Sequence, residues 1–271
     1  MKFAPYLLVL MLLFFAPSTR AEPVDLELIL AVDVSRSIDP AEAQLQREGY
    51  IAALRDPRVH AAIKSGFNRR IAVLYLEWAG YGNTKVVVNW MPISNLDDAN
   101  RFITQLNAIE PFSASRTSIS GAIEAAMPLF DNNGYESERH VIDISGDGPN
   151  NMGPMAPVAR DAALKKGVTI NGLAILDDQP SFGGPAITNL DLYYESCVIG
   201  GTGAFVIAAE NFASFGEAIL RKLILEIAAS QHPLKRQEAA NQRRNLRHLV
   251  AANRTAPPCD VGENQWRRMI Q

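Results

Sequence analysis

Three short segments of this chain carry side chains able to hold a metal ion: Asp33-Val34-Ser35-Arg36-Ser37, Ser115-Arg116-Thr117 and Gly146-Asp147-Gly148. Together they offer two carboxylates, from Asp33 and Asp147, and three hydroxyls, from Ser35, Ser37 and Thr117. All of these donors are hard oxygens, with no thiolate or imidazole among them. Such a set disfavours zinc and copper and favours Mg2+ or Mn2+ in an octahedral oxygen shell. Hydroxyls are weak neutral ligands, so only two formal negative charges would face the dication. An ion held in this way stays electron-poor and keeps room for water or for an anionic oxygen from outside. The chemistry expected is therefore capture of a partner's Asp or Glu carboxylate.

Residues this far apart meet only if the elements between them return the chain to one edge of a sheet. Leu26 to Val34 (LELILAVDV) is a near-continuous apolar run, the pattern of a parallel strand buried on both faces, and Asp33 lies at its end. A helix follows, with Asp39 as N-cap, Pro40 in the first position and Glu42 three residues after the cap, as a capping box requires. It runs to about Leu54 and stops near Pro57. Ile71–Ala79 and Lys85–Trp90 are separated by a short turn rich in Gly and Asn and form an antiparallel hairpin. A helix from Leu96 to Ala108, capped by Ser94 or Asn95, precedes one that opens near Thr117 and runs through Ala126. His140–Ser145 is the next buried strand, then a helix near Ala156–Lys166, strands Val168–Ile175 and Ala204–Ala208, and a helix Phe212–Ala229. This alternation predicts an α/β fold: a doubly wound, mostly parallel six-stranded sheet with one antiparallel edge strand and helices on both faces. In such sheets ligands sit beyond the carboxyl ends of the strands, where the three segments lie.

The element order and these residues resemble a von Willebrand factor type A domain with its metal-ion-dependent adhesion site. The family's Asp-x-Ser-x-Ser motif matches Asp33, Ser35 and Ser37, its loop threonine falls on Thr117, and its strand-end Asp-Gly falls on Asp147-Gly148. The resemblance covers roughly residues 25–229. It implies that the hydroxyls contact the ion directly, that the aspartates act directly or through water, and that a ligand carboxylate completes the octahedron. One departure stands out: the family usually places Gly just before the threonine, where this chain has Ser115 and Arg116. Asp and Ser also gather at strand-to-helix junctions as caps and turn formers, and the competing reading makes Thr117 an N-cap and Asp147-Gly148 a turn.

An enzyme is the other functional class. A metal-dependent phosphohydrolase of α/β fold also keeps its nucleophilic Asp at the end of a first strand, but Ser35 stands where such an enzyme needs its second Asp. His60, His140, His232 and His248 form no metal spacing, and there is neither a His-Glu-x-x-His nor a Gly-x-Ser-x-Gly motif. Gly200-Gly-Thr-Gly203 precedes a strand instead of opening a helix and reads as a turn. Asp143, inside an apolar strand, needs a buried partner or a function, because an unpaired buried charge is costly. Asp177 and Asp178, at the end of the Val168 strand, border the crevice or are simply solvated.

The 271 residues are 48% hydrophobic and 20% charged, enough to build a real core, which excludes a disordered or disulfide-stapled chain. Residues 22–230 carry 16 Lys or Arg against 26 Asp or Glu, and an acidic body argues against nucleic acid as a partner. Residues 231–271 carry eight against three, a basic tail that suits a solvated helix or contact with membrane phosphates. Met1-Lys2, the apolar run from Ala4 to Ala16 and the small residues Thr19 and Ala21 read as a secretory signal peptide over 1–21. The expected organisation is that leader, a von Willebrand factor A-like body over 22–230 and the tail over 231–271, in an exported, periplasmic or extracellular protein. In an oxidising compartment Cys197 and Cys259 either pair, closing a loop of about 60 residues, or remain two thiols.

Overall fold

A computed structural model describes residues 21–176, 187–228 and 254–269. Residues 1–20 of the leader, Asp177, Asp178, His232, His248 and the stretch Leu234 to Val250 lie outside the described residues.

The first buried run forms β2 (Glu27–Asp33), preceded by a two-residue β1 (Glu22–Pro23). Asp39 then caps α1 (Pro40–Arg55): its side chain accepts from the Glu42 N–H while the Glu42 side chain accepts from the Asp39 N–H, so the capping box is complete. The expected stop at Pro57 is also a start. Asp56 ends α1 and caps α2 (Pro57–Lys64), in which proline occupies the first turn, where its missing N–H does no harm. The hairpin is β3 (Ile71–Trp78) and β4 (Thr84–Ile93), and Asn95 caps α3 (Leu96–Asn107). Next come α4 (Ile119–Ala126), β5 (Tyr135–Glu136), β6 (His140–Gly146), α5 (Ala156–Lys165) and β7 (Thr169–Ile175). A short α6 (Leu190–Tyr193) runs into a π-helical turn at Tyr194–Val198, and β8 (Val206–Ala209), α7 (Phe215–Ala228) and α8 (Val261–Met269) follow.

The main sheet has the order β4-β3-β2-β6-β7-β8, parallel throughout except for the β3–β4 hairpin at one edge. The doubly wound α/β sheet expected from the element order is thus the fold of the protein. Successive residues of β2 alternate between two cores: Leu28, Leu30 and Val32 face α1, α3 and α7, and Ile29 and Ala31 face α4, α5 and α6. Every residue of β2 is buried, as expected of a central parallel strand covered on both sides. Among the described residues, no helix is long and apolar enough to cross a membrane.

Asp143 has its partner. It lies fully buried in the α7-facing layer against Lys222 Nζ, which also pairs with Glu226 Oε1 at 2.7 Å, and Asn171 Nδ2 donates to the same Glu226 oxygen at 3.0 Å. A single lysine between two carboxylates leaves one net negative charge in an apolar layer if all three ionise. Burial and the Glu226 charge outweigh the pull of Lys222 and push Asp143 up to about 7. A carboxyl raised in the folded state contributes stability that is complete below its unfolded value near 4 and is lost as pH climbs towards 7. Asp143→Asn leaves a neutral Lys222–Glu226 pair, so thermal unfolding between pH 4 and pH 8 should show wild type losing melting temperature relative to the variant as pH rises. Parallel curves would contradict this.

Candidate metal centre

The register of the two central strands builds the site. Val32 pairs with Ser145, so Asp33 at the end of β2 comes abreast of Gly146 at the end of β6, with Asp147 next along the chain. Leaving β2, the chain turns back on the Asp33 side chain: Ser35 N–H donates to Asp33 Oδ1 at 2.7 Å. Ser35 Oγ then lies 2.9 Å from Ser37 Oγ, and Ser37 Oγ donates to Asp147 Oδ1 at 2.9 Å. Thr117 Oγ1 reaches Ser35 Oγ at 3.5 Å. All five residues singled out in the sequence therefore meet in one contact chain. Asp33, Ser35 and Thr117 are buried and Ser37 and Asp147 half-buried, so the cluster has a closed floor and an accessible side.

The Thr117 loop is held from two directions. Ser35 forms an isolated parallel bridge with Ala114, and the Thr117 backbone bonds twice to Asn151, its N–H donating to the side-chain Oδ1 at 3.0 Å and its carbonyl accepting from the Asn151 N–H at 2.9 Å. The N-cap of α4 is Ser118, whose Oγ accepts from Gly121 N–H at 3.1 Å. The competing reading of Thr117 as the cap is therefore corrected: its neighbour does that work, and the Thr117 hydroxyl is turned to Ser35. Asn150 was missed in the sequence. Fully buried, it accepts from Ser120 N–H at 3.0 Å, donates through its side-chain amide to the carbonyls of Met152 and Pro154, and donates its backbone N–H to Tyr193 Oη at 3.1 Å. Gly-Pro-Asn-Asn reads only as a turn, and no periodicity marks which amide will be buried.

Electrostatically the cluster is unbalanced. Asp33 Oδ2 is buried and has no hydrogen-bond partner among the described residues. Burial first, and the neighbouring Asp147 charge second, raise the Asp33 carboxyl well above the usual range, against weaker lowering by the Ser35 N–H and hydroxyl. Arg116, beside Thr117 in the chain, has its guanidinium 3.3 Å from the centre of the Trp266 ring. No trio of His, Cys, Asp or Glu side chains forms a metal cluster among the described residues, so hydroxyl oxygens have to complete any ligand set. An orphaned buried carboxylate oxygen, a second carboxylate and three hydroxyls fit a small hard dication.

A family model described as a protein of unknown function (DUF1194) matches residues 23–231. The chain belongs to this family. A search of curated proteins finds no match to this DUF1194 chain. Among solved structures, the pilus adhesin SpaC from Lactobacillus rhamnosus GG superposes with a TM-score of 0.55 at 13% identity, covering 76% of this chain and 30% of its own. Proximal thread matrix protein 1 from the mussel byssus, with a zinc-occupied MIDAS motif, gives 0.52 at 13% identity, covering 77% of this chain and 46% of its own. A von Willebrand factor type A protein from Catenulispora acidiphila gives 0.47 at 12% identity, covering 76% and 43%. The DUF1194 chain spans less than half the length of each of these structures. The fold it shares with the pilus adhesin and the mussel protein is the von Willebrand factor type A-like doubly wound α/β fold.

Gly146 packs directly against the candidate site of this DUF1194 chain. A Cβ there would lie 2.8 Å from Tyr194 Oη and 2.9 Å from Asp33 Oδ2. Gly146→Ala should therefore destabilise the protein by about 1–3 kcal/mol, the usual range for overpacking, read as a lower denaturation midpoint in urea. An unchanged midpoint would mean that Asp33 can swing aside.

Proposed function

We propose that this chain is an exported, non-enzymatic binding protein that captures an acidic side chain of a protein partner through a divalent metal held by Asp33, Ser35, Ser37, Thr117 and Asp147. The observation that carries this reading is the buried, unpartnered Asp33 Oδ2 beside Asp147, two carboxyl groups that a dication would let ionise side by side. Ser35, Ser37 and Thr117 supply neutral oxygens from two further loops, and the half-buried side at Ser37 and Asp147 leaves an approach for a ligand. When bound, the metal supplies a Lewis-acidic position for an external carboxylate. Mg2+ or Mn2+ suits the all-oxygen set best. The mussel protein carries zinc at its own MIDAS motif, so zinc belongs in the assay.

The organisation proposed with this function is a leader over 1–21, a binding body over 22–230 and a basic tail over 231–271, acting in the periplasm or outside the cell. Neutral hydroxyls in place of a third carboxylate support binding over hydrolysis, because the ion gains electrophilicity for a ligand while no second Asp stands two residues after Asp33.

Metal-linked stability tests the reading. At an ion concentration one hundred times its Kd, the folded state gains about 2.7 kcal/mol, a rise of roughly 5–10 °C in melting temperature for a domain of this size. Asp33→Ala should abolish the rise, and pull-down of a partner from an envelope extract should be lost on addition of a chelator. A wild-type melting curve indifferent to Mg2+, Mn2+ and Zn2+ would overturn the proposal.

A further inference from the structure

The C-terminal segment 254–269 lies beyond the family match and packs against the loops of the candidate metal centre. One end is anchored on the α6 side of the body. Cys259 is disulfide-bonded to Cys197, with Cα atoms 5.5 Å apart, and Arg254 makes a two-pronged ion pair with Asp191 at 2.7 and 3.1 Å. Asn189 joins them, accepting from Arg254 Nε at 2.9 Å and donating to the Thr255 carbonyl at 3.1 Å. The other end, α8, touches both loops that bring the site together. Glu263 Oε1 accepts from Asn150 Nδ2 at 2.7 Å in the Asp147 loop, and Trp266 stacks under the Arg116 guanidinium in the Thr117 loop. Gly262 lies so close that a Cβ there would fall 2.1 Å from the Asn150 carbonyl oxygen.

Arg116 shows why this contact matters. Its φ of 77° lies in the left-handed region that glycine adopts freely and other residues resist. A strained backbone of this kind persists only where its surroundings over-determine it, and the stack on Trp266 supplies that constraint one residue before Thr117.

We propose that α8 is a covalently anchored clasp that holds the Thr117 loop against the Asp147 loop, so that breaking the Cys197–Cys259 bridge or removing Trp266 weakens divalent-cation binding without unfolding the body. Arg116, Asn150, Glu263 and Trp266 are on this view positioning residues that act through Thr117 and Asp147. The proposal rests on the metal reading above, and its test separates the two.

Full-length wild type, Cys259→Ser and Trp266→Ala would be compared by amide hydrogen exchange without metal and by calorimetric titration with MgCl2. Expected are exchange about tenfold faster at 115–118 and 150–152 in both variants, protection of β2 and β6 unchanged, and Mg2+ affinity lower by about tenfold, the scale set by outer-layer partners of metal ligands. Should Cys259→Ser fold poorly, Trp266→Ala carries the test, since it alters one half-buried ring on a surface helix. Unchanged exchange and affinity overturn the clasp while leaving the metal site standing, and tighter binding in the variants overturns it in favour of a lid. If wild type takes up no ion, the metal reading falls and the clasp's proposed role falls with it, and the exchange data alone then report whether α8 tethers the loops.

Discussion

Two carboxylates share one edge of the sheet because β2 and β6 are parallel neighbours: β2 ends in Asp33, and Asp147 follows directly on Gly146, the last residue of β6. Everything else around the candidate centre accommodates that crowding. Like charges in a buried setting repel and lose their hydration, and the strain is concentrated on Asp33 Oδ2, which no protein donor reaches among the described residues. The chain spends a glycine, Gly146, to let Asp33 lie flat against β6, and it spends three hydroxyls to surround the pair with neutral oxygens.

The sheet beneath is tied down by buried polar contacts that work on the opposite face. Gln46 of α1 donates to the Asp33 carbonyl at 3.3 Å, and Tyr50 donates to Ser145 Oγ at 3.3 Å, so α1 grips the last residues of both strands. Arg47 pairs with Glu77 in β3 and donates to the carbonyls of Leu106 and Ile109, while Glu77 Oε2 accepts from Phe112 N–H at 3.4 Å. That second network fixes the chain as it leaves α3, a few residues before Ala114 bridges Ser35. Lys222, Asp143 and Glu226 do the same for β6 and α7. Removing either Arg47 or Glu77 leaves an uncompensated buried charge, as does removing Lys222, which is why these residues restrict the loops above them as well as the layer they occupy.

On the metal side the restraint is lighter and partly supplied from outside the sheet. The Thr117 and Asp147 loops bond to each other through Asn151, and α8 adds a second bridge through Arg116 and Asn150. An arginine in a backbone conformation suited to glycine is the local sign that the loop depends on something remote in sequence. The disulfide makes that dependence covalent, linking residues 62 positions apart.

Much of the architecture was legible in the residues alone because its signals are local. The apolar run of β2, the capping box at Asp39 and the Gly/Asn turn of the hairpin each act within a few residues and survive any tertiary context. The three segments of the candidate centre were legible for a related reason: sheet topology forces the carboxyl ends of β2 and β6 and the start of α4 to one edge. Tertiary structure decided the rest. Pro57 stops one helix and starts another, and only packing shows that both are used. Whether Cys197 meets Cys259 depends on two chain segments that share no local signal, and the same holds for Lys222 finding Asp143. The places of Asn150, Arg116 and α8 likewise follow from which surfaces happen to lie opposite once the sheet has closed. Local sequence sets the conformational preferences of a few residues at a time, whereas burial, orphaned polar atoms and long-range contacts exist only in the packed molecule.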